Sequence, residues 1–221
     1  MTEDGGEILA LTLRVGLLST LLCLPPAIAV GYALARRMLP LPSLLRAVVS
    51  LPMVMPPVAV GLSLLWIFGT TSPFAGVWRA LGIEVAFTPA AAVIAAAVVG
   101  FPLLARSAEQ SFSEIDPRYE EIARTLGASR FATFMRVSLP LAKRGLLYGS
   151  LLCFTRALGE FGATAVIAGI IPGRTETLSL GIWSRIQLGD DTGAALLVAF
   201  SFAIALASMI AAERFLGPGR R

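Results

Sequence analysis

The sequence has 221 residues, of which 56% are hydrophobic and 14% are charged, with a formal net charge of +4. This composition is typical of a protein that crosses a lipid bilayer several times rather than of a soluble domain. The sequence has no histidine, two cysteines and a single lysine, Lys143, which excludes a histidine-based catalytic triad, a zinc cluster and a disulfide framework. Because Arg144 follows that lysine, the chain has no Gly-x-x-x-x-Gly-Lys-Ser/Thr loop for binding ATP, and we expect no cofactor on it.

Five apolar runs predict five membrane-spanning helices, and therefore an all-α polytopic membrane protein. A helix needs ~20 apolar residues to cross the hydrocarbon core of a bilayer. The runs cover residues 8–34, 48–68, 89–105, 146–168 and 193–212. No internal repeat or low-complexity linker divides the chain, so residues 1–221 are predicted to form a single membrane domain.

Arginines are concentrated on one side of the predicted spans. They follow the first, third and fifth spans, as Arg36, Arg37, Arg46, the arginines of residues 106–144, Arg214, Arg220 and Arg221. Basic loops face the cytoplasm in most membrane proteins, so we expect an external N-terminus and a cytoplasmic C-terminus. Because the basic residues lie beside apolar runs, they indicate membrane topology and no nucleic-acid partner.

Two loop segments on the opposite side have distinctive sequences, and the first contains apolar residues at helical spacing. The first, around Trp78, predicts a short helix at the outer membrane interface that closes the bundle. The second follows the turn at residues 171–174 and runs from Thr177 to Leu188 before the acidic pair Asp190 and Asp191. This second segment has two open interpretations, a docking site for a soluble binding protein or a structural lid.

The second predicted span contains Pro52, Pro56 and Pro57, followed by Gly61. Each internal proline removes a backbone hydrogen bond, so the helix must kink or break here. Irregular backbone at membrane depth is tolerated where protein buries it or where it faces a water-filled cavity. The prolines therefore predict a lining of the translocation pathway, and the alternative is a kink that only helps packing.

The fourth predicted span contains the charged residues Arg156 and Glu160 at i and i+4, which predicts an ion pair on one helix face. Charged residues inside a membrane are costly and mark functional sites by default. Arg156, Thr164 and backbone N–H groups near Gly159 and Gly162 would supply donors to an anion. A purely structural salt bridge is the open alternative.

The loop of residues 106–144 predicts two short helices. Asp116 is a suitable N-cap before Pro117, and Gly127 is suited to a left-handed turn that ends the first helix. Ser129 can cap the second helix, which Pro140 is predicted to end. On periodicity alone, the pair could equally be an interfacial helix lying on lipid headgroups.

The spacing within this loop carries further information. Glu121-Ile122-Ala123 is followed by three residues, Gly127, nine residues and then Val137-Ser138-Leu139-Pro140. This pattern resembles the cytoplasmic "EAA" coupling loop of ABC importer permeases, with Ile122 in place of an alanine and Val137 in place of an isoleucine. The resemblance implies that an ATPase is bound through Glu121, Ala123, Gly127, Val137, Leu139 and Pro140.

Three further segments look like the permease of molybdate-type ABC importers, namely residues 51–57, 158–164 and 171–173. The resemblance implies a homodimer in a prokaryotic inner membrane, with two cytoplasmic ATPase subunits that hold ATP and Mg and an external substrate-binding protein. It also implies alternating-access import of a tetrahedral oxyanion, molybdate, with sulfate, thiosulfate or tungstate as alternatives. From other classes, an ion-coupled secondary transporter and a membrane scaffold without transport remain as rivals.

Overall fold

The computed structural model describes residues 2–216, apart from the side chains of residues 2–4, 212, 213, 215 and 216. The described residues form helices and no strand, which confirms the predicted all-α class. Arg220 and Arg221, which belong to the predicted arginine pattern, lie outside the described residues.

Three of the predicted spans are continuous helices. These are α1 (Thr2–Ala35), α5 (Pro89–Ser113) and α11 (Asp191–Leu216), which match the first, third and fifth predicted spans. Each is long and apolar enough to cross a membrane. The third span was predicted to end at residue 105. This end is too early, because α5 continues through the polar residues up to Ser113.

The second predicted span is divided into α2 (Pro42–Val54) and α3 (Pro57–Phe68). The two helices meet at Met55 and Pro56 with a bend of 107°. The predicted break is confirmed, and the segment is no single straight span. Consecutive prolines explain the position of the break, because neither supplies an N–H to continue α2 and Pro57 fits the first turn of α3.

The fourth predicted span is also divided, so its expected bounds of 146–168 are wrong. It is not among the described helices that are long and apolar enough to cross a membrane, which number three, or four with the bent pair, instead of the predicted five. It consists of α8 (Leu139–Leu158) and α9 (Gly162–Ile167), separated by residues 159–161. The Oε1 atom of Glu160 accepts a hydrogen bond of 2.9 Å from the N–H of Ala163. Glu160 therefore caps the start of α9 instead of continuing α8.

A short helix, α4 (Ala75–Ala80), forms where the segment around Trp78 predicted one. The second outer segment also contains a helix, α10 (Leu178–Gln187), which the sequence had not predicted. The indole Nε1 of Trp78 donates a hydrogen bond of 2.8 Å to the carbonyl of Ile67. This bond ties α4 to the end of α3.

The core is built from α1, α5 and α8. The Sγ of Cys23 lies 3.2 Å from the carbonyl oxygen of Ala97, and further along both helices the Tyr32 ring packs against Phe112, so α1 and α5 are parallel. Helix α8 is antiparallel to α5, because the starts and ends of the two pack in reverse order. Small residues allow the close approach, as where the Oγ of Ser107 donates a 2.8 Å hydrogen bond to the carbonyl of Gly145. The ends of α1 and α5 and the start of α8 therefore share one end of the bundle.

Candidate coupling surface and translocation site

The segment between α5 and α8 begins with helix α6 (Pro117–Thr125). The Oδ1 of Asp116 accepts a hydrogen bond of 2.9 Å from the N–H of Arg118, which confirms the predicted N-cap. Gly127 has a φ of +88°, which confirms the predicted left-handed turn. A residue with a Cβ adopts this conformation only with strain.

A second short helix, α7 (Arg130–Thr133), follows the turn and continues into a π-helical turn (Phe134–Ser138). The Oγ of Ser129 accepts a 3.2 Å hydrogen bond from the N–H of Ala132, which confirms the second predicted cap. The prediction that Pro140 ends this helix is wrong. Helix α8 starts directly after the π-helical turn, and Pro140 lies in its first turn. The wider hydrogen bonding of a π-helical turn accommodates the missing N–H of the proline.

The two short helices expose an unusually apolar surface. We define the coupling surface as Tyr119, Glu121, Ile122, Leu126 and Phe131. Leu126 is 82% exposed and Phe131 is 74% exposed, and the side chains of the other three are also exposed. Clustered large apolar side chains on an exposed surface mark an interaction site.

The other residues of the predicted coupling motif have mixed environments. Gly127 and Pro140 are exposed, and Ala123 and Val137 are half-buried. Leu139 packs against an internal cluster that includes Phe112. The motif therefore contributes both to the surface and to its attachment to the bundle.

The two helix breaks meet each other at one face of the bundle, which brings the predicted pathway segments together. Helix α3 packs against α9 so closely that a Cβ atom on Gly162 would lie 2.8 Å from Cβ of Pro57. A Cβ atom on Gly61 would lie 2.6 Å from the carbonyl oxygen of Ala163. Broken backbone from two segments is thus concentrated at one place, as expected for a pathway or a protein interface.

Arg156 and Glu160 form the predicted ion pair, with 3.0 Å between Nη2 and Oε2. The geometry differs from the prediction of one helix face, because Glu160 lies beyond the end of α8. The side chain of Glu160 is only 2% exposed and both its oxygens are engaged, whereas that of Arg156 is 35% exposed. Arg156 is therefore the more exposed member of the pair.

The remaining predicted pathway residues lie at different depths around this contact. Thr164 is buried in α9, Pro52 is half-buried in α2, and Pro56 and Gly159 are exposed at the two breaks. The exposed breaks leave one face of the bundle with irregular backbone.

A cavity of about 740 Å³ lies between the N-terminal part of α1, the turn at residues 172–176 and the end of α10. Its charged lining consists of Glu7, Arg14, Arg174, Glu176, Arg185 and Asp190. Asp190 accepts hydrogen bonds from the N–H of Gly193 and from Arg185, and these bonds hold its pKa below the ordinary value. The predicted acidic pair, Asp190 and Asp191, therefore lies at the start of α11, where Asp190 accepts the hydrogen bond from Gly193.

A buried charged cluster that sequence reasoning missed lies behind the coupling surface. The Glu120 carboxylate contacts Arg36, Tyr32 and Ser138, and its side chain is 12% exposed. Burial raises the pKa of Glu120, but hydrogen bonds from Arg36 and Ser138 outweigh burial and hold it below the ordinary value. Glu120 precedes Glu121 directly, and no periodic pattern distinguishes the two side chains.

Comparison with known proteins identifies relatives over nearly the full length. Residues 27–221 match the family model described as "Binding-protein-dependent transport system inner membrane component". The molybdenum transport system permease protein ModB of Escherichia coli K12 is 39% identical over 96% of this chain and 94% of its own. ModB of Mycobacterium tuberculosis is 37% identical over 100% of this chain and 81% of its own. The sulfate transport system permease protein CysW of Synechococcus elongatus is 38% identical over 79% of this chain and 61% of its own.

Solved structures share the fold. A chain of the MetNI methionine ABC transporter in an inward-facing conformation superposes with a TM-score of 0.68 at 18% identity, covering 100% of this chain and 96% of that one. A chain of an amino acid ABC transporter gives a TM-score of 0.61 at 16% identity, over 97% and 93%. The family match and the ModB relatives confirm the resemblance to molybdate-type ABC permeases. The chain belongs to the family of binding-protein-dependent transport system inner membrane components.

Proposed function

We propose that this chain is the permease subunit of an ATP-driven importer that translocates a tetrahedral oxyanion, molybdate, by alternating access. The observation that carries this proposal is the coupling surface, where Ile122, Leu126 and Phe131 are exposed beside Glu121. A surface of this kind marks an interaction site, and the motif spacing from Glu121 to Pro140 favours a partner protein over lipid headgroups there. The chain has no ATP-binding motif, so the partner supplies ATP, Mg and the hydrolysis.

The substrate assignment is supported by the ModB relatives, which are named as molybdenum transport permeases. Sulfate or thiosulfate is the second candidate, because sulfate transport permeases named CysW are also relatives. Tungstate has the same shape and charge as molybdate and is not distinguished from it. Arg156 lies in the last turn of α8, directly before the break, and would contact the anion there.

Two copies of the chain, two cytoplasmic ATPase subunits and an external binding protein would make up the importer. In this arrangement the N-terminus is external, the C-terminus is cytoplasmic, and α6 and α7 face the cytoplasm. The second copy would cover the irregular backbone at the two breaks, where Pro56 and Gly159 are exposed. The charged cavity between α1 and α10 would lie on the external side, where the binding protein docks.

An ion-coupled secondary transporter is the rival from another class. Such a protein needs a titratable group that binds and releases a proton or sodium ion inside the membrane. Glu160 is the candidate, yet one of its oxygens bonds Arg156 and the other caps α9. A carboxylate with both oxygens engaged is poorly suited to this cycle, which favours the ATP-driven reading.

The experiment that tests the coupling role uses the variants Gly127→Phe and Glu121→Lys. Both positions lie outside the predicted spans, so the protein should insert into the membrane normally. We expect either variant to lose co-purification of the ATPase or substrate-stimulated hydrolysis, because a large side chain strains the left-handed turn and a reversed charge opposes docking.

Gly82→Phe is a matched control, because Gly82 also has a positive φ, of +65°, and open space around it. It lies between α4 and α5, far along the chain from the coupling surface. Strain in a left-handed turn alone would affect both glycine variants equally. Wild-type ATPase recovery and uptake in both coupling variants would refute the docking role.

A further inference from the structure

We propose that Glu120 is a positioning residue that transmits movement of the ATPase from the coupling surface to α1. This inference rests on the proposed function and adds a mechanical connection to it. We define the Glu120 joint as Glu120 with its three side-chain partners, Arg36, Tyr32 and Ser138. The joint links α6 to the end of α1 and to the π-helical turn before α8.

The hydrogen bonds of the joint converge on one carboxylate. Oε1 of Glu120 accepts from Nη2 of Arg36 at 2.8 Å, from Nε of Arg36 at 3.0 Å and from Oγ of Ser138 at 2.7 Å. Oε2 accepts from the hydroxyl of Tyr32 at 3.3 Å. The Arg36 and Glu120 side chains are 13% and 12% exposed, so solvent competes weakly for these bonds.

The partners of Glu120 are themselves held firmly. The Tyr32 ring packs edge-on against Phe112 of α5 and Phe134 of the π-helical turn, with centroid distances of 5.2 Å and 5.0 Å. The Arg36 guanidinium also approaches the carbonyl of Ile115, at 3.4 Å. Movement of Glu120 is therefore passed to several helices rather than absorbed by a loose side chain.

Helix α6 has little else that attaches it to the bundle, because apart from Glu120 only Ala123 is half-buried and its other residues are exposed. Its apolar side chains Tyr119 and Ile122 face outward on the coupling surface. Successive residues of a helix point about 100° apart, so Glu121 can face the ATPase while Glu120 faces α1. A force applied at Glu121 is thus carried across one short helix to the joint.

The chain offers a matched control at the same end of the bundle. Oε1 of Glu109 accepts a 2.6 Å hydrogen bond from Arg46, and its side chain is 11% exposed. That pair joins α2 to α5 and includes no residue of α6 or α7. Glu109→Gln and Glu120→Gln therefore remove equally buried charges, but only Glu120→Gln breaks the connection to the coupling surface.

The experiment uses the full importer, reconstituted in liposomes with its ATPase and binding protein, and measures molybdate uptake and ATP hydrolysis on the same samples. We expect Glu120→Gln to retain the ATPase and to hydrolyse ATP, but to import at least about fivefold less molybdate per ATP. Glu109→Gln should keep the wild-type ratio. Tyr32→Phe removes one hydrogen-bond donor and keeps the ring contacts, so it should lower the ratio of molybdate imported to ATP hydrolysed by a smaller factor. This variant replaces Glu120→Gln in the test if Glu120→Gln assembles poorly.

Several results would overturn the inference. An unchanged ratio in Glu120→Gln and Tyr32→Phe would show that the joint transmits nothing, and an equal fall in Glu109→Gln would indicate general destabilisation of this end of the bundle. Loss of ATPase binding in Glu120→Gln would assign the residue to docking instead. Failure of the proposed function is distinguishable, because the wild-type importer would then show no ATP-dependent uptake.

Discussion

Loss of Arg156 should destabilise the protein more than loss of the Glu160 charge, although the two residues form one ion pair. Arg156→Gln leaves the Glu160 carboxylate without its cation, and the side chain of Glu160 is only 2% exposed. Glu160→Gln keeps an oxygen that can cap α9 at Ala163 and leaves Arg156, which at 35% exposed is the less buried of the two side chains.

The expected magnitudes follow from these exposures. Stranding a buried charge costs about 3–5 kcal/mol. Losing a partner at a more exposed charge costs about 1 kcal/mol or less. A difference of about 2–4 kcal/mol corresponds to roughly 4–16 °C in apparent melting temperature for a chain of this size.

The assay compares melting temperatures of detergent-purified wild type, Arg156→Gln, Glu160→Gln and the double variant. The double variant should be more stable than Arg156→Gln, because it strands no charge. If the stability losses of the two single variants simply add up in the double variant, the two residues are not energetically coupled. A larger loss in Glu160→Gln than in Arg156→Gln would refute the reasoning from exposure, and normal uptake by the double variant would remove the pair from the pathway.

Three other predictions test the packing, the orientation and the charged joint. Gly61→Val should lower the melting temperature and uptake, because overpacking against the Ala163 carbonyl costs about 1–3 kcal/mol, whereas Gly76→Val in open space should not. Membrane-impermeant reagents should label single cysteines placed at the exposed positions Thr71 and Gly173 from outside, and one placed at Ser129 only from inside. The opposite labelling pattern would reverse the orientation. The pKa of Glu120 is lowered in the folded state, so its contribution to the free energy of unfolding is fully present above the unfolded pKa. This contribution should be lost as the pH falls below about 4, and Glu120→Gln should lose less stability over the same range.

Local signals predicted the coupling segment well. Asp116, Ser129 and Gly127 act through neighbouring backbone, so their caps and turn could be read from spacing alone. The proline-rich break in the second span was predictable for the same reason. The effect of Pro140 was not, because the π-helical turn before it removes the need for a helix end.

Long-range contacts were beyond the sequence. The i, i+4 spacing of Arg156 and Glu160 predicted the ion pair but not the helix break between them, since the break depends on the capping bond to Ala163. Glu120 and Arg36 are 84 positions apart, and only the fold brings them together. Their separation in sequence explains why the exposed Glu121 was predicted to be functional and the buried Glu120 was not.

The central claim is ATP-driven import of a molybdate-type oxyanion through this chain. The most direct measurement is uptake of radiolabelled molybdate into liposomes that contain the chain, its ATPase and its binding protein, with ATP enclosed. We predict uptake that requires hydrolysable ATP, persists when proton and sodium gradients are collapsed, and is lost with Gly127→Phe. Uptake that continues without ATP and stops when the ion gradients are collapsed would contradict the account.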